Sequence, residues 1–236
     1  MNQTNIIQHQ QYLKSFFNGL TFIEETHKYF VDDEPIKMSV SGKYGRYSTP
    51  FNKLEKSQSV ANREGRTQES VLKEWDAAGK KAIDIGNKAH LFGELYAFNR
   101  SLKPKTKYDK AIVKFWNDLP SHIVVVATEL QMYHKEFMYA GTADIILYNT
   151  KTGKYIIGDY KTNKDLHKNF ANQKLLGPFC NILDTPLNKY QLQLSYYQIL
   201  LEQIPNLEVS HRKIISIKDN GKYEIFNCND YTKYLN

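Results

Sequence analysis

Asp159, Tyr160 and Lys161 end a segment that is rich in aromatic and β-branched residues. Such a composition favours a β-strand, and residues two apart on a strand point to the same face. The carboxylate of Asp159 and the ammonium of Lys161 are therefore expected to project together. Metal-assisted hydrolysis of phosphodiesters uses this combination, because acids hold a divalent cation while a positive charge stabilises the phosphate.

A second acid, Asp144, lies near the start of another segment with strand composition, residues 143–148. Residues 149–154, which include a glycine, separate this segment from the one that ends in Lys161. If the two strands pair as a hairpin, Asp144 reaches the same place as Asp159. The two acids are then predicted ligands of a hard divalent cation, and with Lys161 they form the predicted catalytic group.

Segments with helical periodicity flank these strands. Residues 85–98 carry apolar side chains at three- and four-residue spacing, and Gly86 lies one turn before His90. The glycine leaves room for another group to approach the histidine. A later helical segment places Gln193 and Tyr197 on one face. The alternative in each case is ordinary packing, with a histidine, a glutamine and a tyrosine that serve only the core or the surface.

In their order along the chain, these pieces resemble the motifs of the RecB-type branch of the PD-(D/E)XK nuclease superfamily. The pieces are Gly86 to His90, Glu129, Gly141 to Asp144, Asp159 to Lys161, and Gln193 to Tyr197, over roughly residues 80–202. Each piece is short, but five in this order are far more specific than one. The chain looks most like a stand-alone exonuclease from phage or mobile-element recombination systems.

The resemblance implies a metal-dependent deoxyribonuclease that uses Mg²⁺ or Mn²⁺. The implied metal ligands are His90, Glu129, Asp144, Asp159 and the backbone carbonyl of Tyr160. A histidine ligand suits Mn²⁺ as well as Mg²⁺, because imidazole is a softer ligand than carboxylate. Glu129 follows the apolar run 124–128, so a salt-bridge partner at a strand end is an equal alternative for it.

The predicted contacts to DNA are Gln193, Tyr197 and Thr162, of which Gln193 and Tyr197 are alternatively placed to hold the lysine. A helical face with Arg63, Arg66 and Lys73 is either part of the DNA path or an ordinary solvated surface. Tyr44 and Tyr47, beside Lys43 and Arg46, are candidates for stacking on a frayed base.

The composition limits the class of protein. The chain has 236 residues, of which 41% are hydrophobic, and this favours a folded globule. Its net charge of +7 suits a polyanionic partner such as DNA, although an AT-rich genome, which enriches lysine, explains the charge equally well. No apolar run is long enough to span a membrane and no secretory signal is visible, so the predicted location is the cytoplasm, or the host cytoplasm for a phage protein.

Two further absences narrow the expected chemistry. Cys180 and Cys228 are too few for the four-cysteine iron–sulfur cluster of some RecB-type nucleases, and they fit a reducing compartment. The chain has no phosphate-binding Gly-x-x-x-x-Gly-Lys-Ser/Thr segment. Any unwinding therefore needs a partner, and a recombination or single-strand annealing protein is the expected one. A membrane partner is not expected.

The predicted fold class is mixed α/β (α+β), and the resemblance implies a restriction-endonuclease-like core with a central mixed sheet flanked by helices. We predict one domain over residues 1–236, with a helical and hairpin appendage over about 1–80 and the nuclease core over about 81–236. The predicted elements are a loop over 39–52, helices over 53–119 broken near Gly65, Gly79 and Pro104, strands over 123–132, 137–148 and 154–161, a helix over 189–203, and strands over 208–218 and 222–227.

Overall fold

The computed structural model describes residues 3–23, 25–26 and 28–235. The helices within these residues are α1 (Gln3–Phe16), α2 (Val40–Gly45), α3 (Lys53–Glu64), α4 (Gln68–Phe98), α5 (Lys107–Asp118) and α6 (Pro186–Leu201). The strands are β1 (Leu20–Ile23), β2 (Lys28–Val31), β3 (Glu34–Pro35), β4 (Met38–Ser39), β5 (Ile123–Tyr133), β6 (Tyr139–Asn149), β7 (Lys154–Lys161), β8 (Val209–Ile217) and β9 (Tyr223–Asn227).

The fold is mixed α/β with a central mixed sheet flanked by helices, which confirms the predicted fold class. The central sheet has the order β4-β6-β7-β8-β9, with β5 also paired to β6. β5, β6 and β7 form an antiparallel meander, while β7 pairs with β8 in parallel. The crossover from β7 to β8 contains α6, as a parallel connection requires. A separate three-stranded sheet joins β1, β2 and β3.

The two faces of the central sheet bury different clusters. On one face, Ile157 of β7 and Ile214 of β8 pack in the cluster that contains the buried residues of α6. On the other face, Tyr160 of β7 packs with buried residues of α4 and α5, including Phe115. Alternation along β7 therefore turns Asp159 and Lys161 toward the face of α6, and Tyr160 toward the face of α4.

The hairpin between β6 and β7 confirms the pairing on which the prediction for Asp144 depended. Asn149 pairs with Lys154 at its turn, where Gly153 adopts a φ of 72°. A glycine takes this left-handed conformation without the steric cost that a side chain would bring. The hairpin register runs from this turn to Ile145 and Gly158, so the two segments meet residue by residue.

Three predicted boundaries are wrong. α4 runs unbroken through Gly79 for 31 residues, because one glycine inside a helix costs only about 1 kcal/mol and does not end it. The predicted loop 39–52 contains α2, whose N-cap is the Ser39 side chain. α6 begins before residue 189, at Pro186, where Thr185 caps it.

Two glycines let helices approach the sheet closely. A Cβ on Gly93 of α4 would lie 2.4 Å from Cε2 of Tyr160, and a Cβ on Gly141 of β6 would lie 2.8 Å from Cε1 of Tyr197. Carbon atoms do not approach this closely, so any side chain at either position would displace a buried tyrosine. Gly93 therefore sets how closely α4, and with it His90, lies against β7.

Within the described part of the chain, no helix has the length and apolar character of a membrane span. Cys180 is exposed and Cys228 is buried, and both are free thiols.

We expect Gly93→Ala to lower the free energy of unfolding by about 1–3 kcal/mol, because the added methyl group overpacks the contact with Tyr160. Gly79→Ala is the matched control in the same helix. A Cβ at Gly79 meets nothing within 4 Å, so this variant should gain about 1 kcal/mol from helix propensity. Urea unfolding measures both, and equal effects of the two substitutions would contradict the tight contact at Gly93.

Candidate active site

Three carboxylates lie in one row across β5, β6 and β7. Glu129, Asp144 and Asp159 follow one another at intervals of fifteen residues. The pairs Thr128–Ile145 and Leu130–Ala143 place Glu129 opposite Asp144. Pairing of β6 with β7 ends at Ile145 and Gly158, so Asp144 and Asp159 are the first residues beyond the last pair. We call this point, where the two strands stop pairing, the fork.

The Asp144 carboxylate fills the gap at the fork. Its Oδ2 accepts a hydrogen bond of 2.8 Å from the backbone N–H of Tyr160, the residue after Asp159. The same oxygen lies 3.2 Å from Nδ1 of His90 on α4. Asp144 is 8% exposed, so these contacts are largely shielded from water. At the fork, the Asp144 carboxylate of β6 therefore contacts both His90 of α4 and the backbone of β7.

Glu129 completes the group through an unusual backbone conformation. Its φ is 47°, in the left-handed region that residues with side chains rarely adopt, although β5 continues to Tyr133. One ligand atom from each of His90, Glu129 and Asp144 lies within 4.8 Å of the other two. Strained backbone of this kind concentrates at functional sites.

Lys161 and Asp159 form an ion pair beside this group. Both side chains are largely buried, with 14% of Lys161 and 1% of Asp159 exposed. The Lys161 ammonium also lies 4.4 Å from the ring centroid of Tyr190 on α6. Asp144, Asp159 and Lys161 thus lie close together, as expected from the predicted hairpin. Asp159, however, forms an ion pair with Lys161.

The donor set fits a divalent cation. Oxygen ligands of Mg²⁺ lie at about 2.1 Å from the ion, so donors on opposite sides of it are about 4.2 Å apart. The group of His90, Glu129 and Asp144 spans 4.8 Å, and a shift of less than about 1 Å would close it around an ion. Carboxylate oxygens and one imidazole nitrogen are ligands that both Mg²⁺ and Mn²⁺ accept. Asp159 stands next in the row, and metal ligation by Asp159 stays a prediction.

The electrostatics of the site reflect an excess of negative charge. Burial alone would lower the pKa of His90, but the Asp144 carboxylate overcomes this effect and raises the pKa to about 9. For Asp144 the directions are reversed. Burial would raise its pKa, but the positive charge of His90 holds that pKa below its usual value. The two groups therefore form a charged pair in the protein without a metal ion.

The pKa values of the other two acids, Glu129 and Asp159, are raised. Burial, with the charge of Asp144 next in importance, raises the pKa of Glu129 to about 7. The same two causes raise the pKa of Asp159 to about 6, although Lys161 opposes them. Burial would lower the pKa of Lys161, but the neighbouring aspartates raise it. A bound cation would relieve the repulsion that these shifts record.

The predicted DNA contacts are Gln193 and Tyr197 on α6 and Thr162, the residue after Lys161. Gln193 Nε2 donates a 3.0 Å hydrogen bond to the Tyr197 hydroxyl, and Tyr197 is only 5% exposed. The Tyr197 ring packs against Gly141, three residues before Asp144 on β6. Thr162 lies against α4, where its Oγ1 is 3.7 Å from the position of a Cβ on Gly86. A role for these three residues in DNA binding stays a prediction.

Only the backbone of Tyr160 contacts the acids, through its N–H. Its side chain packs on the other face of the sheet, among the residues of α4 and α5. Its N–H orients Asp144, and metal ligation by its carbonyl stays a prediction.

The predicted basic face on α3 and α4 is a mixed-charge surface. Arg63 pairs with Glu64 at 3.2 Å, and Arg66 pairs with Glu64 and also with Glu74 at 2.6 Å. These ion pairs favour the alternative of a solvated surface, whose contribution to stability is small.

The two candidate stacking tyrosines have different surroundings. Burial raises the pKa of Tyr44, which the positive charge of Lys161 partly offsets, so Tyr44 lies near the lysine. Tyr47 packs edge-on against Phe179, with ring centroids 4.8 Å apart. Stacking of either ring on a base stays a prediction.

Sequence reasoning assigned no role to two residues at the site. Tyr190 covers Lys161, and Tyr29 of β2 donates or accepts a 2.9 Å hydrogen bond with Thr142, two residues before Asp144. Tyr190 lies three residues before Gln193 on α6, so helical spacing carried a signal for it. Tyr29 comes from a separate sheet, and no local pattern connects it to β6.

No protein-family model matches this chain, and no curated protein matches it either.

The metal-free protein should lose stability as the pH rises from about 5 to 9. The fold raises the pKa of Glu129 from 4.5 to about 7 and that of His90 from 6.5 to about 9. The stability that each proton contributes is complete below the unfolded pKa and is lost as the pH passes the folded pKa. We expect Tm in EDTA to fall over this range, and Mn²⁺ to reverse most of the fall.

Glu129→Gln should flatten the part of the fall below about pH 7, because its amide does not titrate. Glu34→Gln, which removes an exposed carboxylate on β3, is the control and should follow the wild type. A Tm profile for Glu129→Gln that overlays the wild-type profile would contradict a destabilising charge at this half-buried position.

Proposed function

We propose that the protein is a metal-dependent deoxyribonuclease that hydrolyses phosphodiester bonds from DNA ends and serves recombination or repair. The observation that supports this most directly is the convergence at the fork. Three potential metal ligands, His90, Glu129 and Asp144, lie beside a buried ion pair of Asp159 and Lys161. A restriction-endonuclease-like core of the RecB type would arrange its acids and lysine in this way.

His90, Glu129, Asp144 and Asp159 would hold Mg²⁺ or Mn²⁺, and the Tyr160 carbonyl is a further candidate. When bound, the cation supplies Lewis-acid charge that favours ionisation of a water molecule and neutralises the phosphate. The Tyr160 N–H fixes the orientation of the Asp144 carboxylate through its 2.8 Å hydrogen bond. Burial of Asp144 and Asp159 keeps these two carboxylates in place and limits competition from bulk water.

Lys161 has the position expected of a catalytic lysine. Its ammonium is a compact, fixed positive charge next to the acid row, and the raised pKa keeps it charged at neutral pH. It would hold an attacking water or a phosphate oxygen by hydrogen bonding and stabilise the negative charge that develops on the phosphate. The ion pair with Asp159 prevents it from swinging away on its flexible stem.

The net charge of +7 supports a nucleic-acid substrate. Lysine contacts phosphate without reading sequence, which suits digestion that continues through any sequence. Gln193, Tyr197 and Thr162 are the proposed residues next to the DNA backbone. A recombination or single-strand annealing protein would take over the strand that digestion leaves.

The first test is release of nucleotides from labelled linear DNA in Mg²⁺ or Mn²⁺. We expect Asp159→Ala and Lys161→Ala to lower the rate by about 100-fold or more, because each removes a charge that acts at the phosphate. Lys154→Ala is the matched control, since Lys154 lies at the other end of β7 and pairs with Glu208 on the surface. It should keep near wild-type activity.

The outcome also separates the alternatives. Nicking of covalently closed circles would favour an endonuclease of the same superfamily. Binding of DNA ends without any metal-dependent hydrolysis would favour a non-catalytic end-binding module. Full activity in Asp159→Ala or Lys161→Ala would refute the proposed site.

A further inference from the structure

Lysine has a long flexible side chain, so a catalytic lysine needs contacts that fix its ammonium group. Asp159 supplies one such contact for Lys161 as an ion pair. The second comes from α6, where the face of the Tyr190 ring lies 4.4 Å from the Lys161 ammonium. This is a cation–π contact, and it is strengthened by the burial of the lysine.

The Tyr190 ring is itself fixed to the same strand end that it covers. Its hydroxyl donates a 3.0 Å hydrogen bond to Oδ1 of Asn163, which lies two residues after Lys161. Tyr190 is half-buried, and its ring packs against the large core cluster on the face of α6. One side chain of α6 thus contacts β7 at Lys161 and the chain immediately beyond it, so both contacts hold the ring at the same strand end.

We propose that Tyr190 is a positioning residue that holds the Lys161 ammonium beside the acid row through its aromatic face, with Asn163 locking the ring. The inference rests on the proposed nuclease function, because it assigns Tyr190 a part in that reaction. Tyr190 acts on the substrate only through Lys161. Its aromatic ring matters more than its hydroxyl, since the ring meets the ammonium and the hydroxyl only orients the ring.

The kinetic test compares variants that keep or remove the ring. Tyr190→Leu should lower kcat by about 10-fold, with KM for DNA changed less than about 2-fold, because the lysine acts in the transition state. A ten-fold loss corresponds to about 1.4 kcal/mol of transition-state stabilisation. Tyr190→Phe and Asn163→Ala keep the ring and should stay within about 3-fold of the wild type.

Tyr223→Leu is a matched control for the loss of a tyrosine. Tyr223 also donates a hydrogen bond, to Asp118 at 2.8 Å, and has the Lys114 ammonium 5.8 Å from its ring centroid. It lies on β9, two strands from β7, and its ring packs on the opposite face of the sheet from Tyr190, so Tyr223→Leu should leave kcat unchanged. If Tyr190→Leu does not fold, Tyr190→Met takes its place, because it keeps a long apolar side chain without an aromatic face.

A spectroscopic measurement keeps this inference separate from the nuclease activity. In protein labelled with ¹³C-lysine, the ring current of Tyr190 should move the Lys161 Hε resonances upfield, and Lys161→Arg identifies them by their loss. The displacement should persist in Tyr190→Phe and vanish in Tyr190→Leu.

If the wild type hydrolyses no DNA while these resonances respond as described, the proposed function has failed and the contact stands. The inference is overturned if Tyr190→Leu matches wild-type kcat, if Tyr190→Phe loses as much activity as Tyr190→Leu, or if the resonances do not respond to removal of the ring.

Discussion

The repulsion among the carboxylates at the fork is the constraint to which the rest of the site responds. Asp144 and Asp159 are buried and Glu129 beside them is half-buried, and isolated buried charges are costly. His90 and Lys161 neutralise part of this charge, each paired with one aspartate. Burial, together with the remaining negative charge, raises the pKa values of Glu129 and Asp159. The fold therefore holds at this point an excess of negative charge that a bound cation would neutralise.

The strands and helices around the fork bring these charged residues together. The end of pairing between β6 and β7 opens the gap that the Asp144 carboxylate fills. Gly93 lets α4 lie close to Tyr160, which brings His90 to the gap. On the opposite face, α6 contributes Tyr190 to Lys161 and Tyr197 to the packing against Gly141. The helices α4 and α6 and the strands β5, β6 and β7 therefore all contribute residues to the site or to the packing around it.

The sequence was sufficient to predict the fold class, the meander and the meeting of Asp144 with Asp159 and Lys161. These features follow from strand composition and a short connection, and both are local properties. The unbroken α4 was not predictable with the same rules, because a glycine signal at Gly79 is too weak to oppose the packing of the whole helix. The left-handed conformation of Glu129 and the arrival of Tyr29 depend on tertiary contacts, and no local pattern records them.

The strand register that aligns the three acids has an evolutionary consequence. Side chains alternate between the faces of a sheet, so one residue inserted or deleted inside the paired part of β6 or β7 would turn an acid to the wrong face. The turn over residues 150–153 lies outside the ladder and tolerates changes in length far better. Homologous chains should therefore vary in length at the turn while the count of residues from each acid to the end of its ladder stays constant.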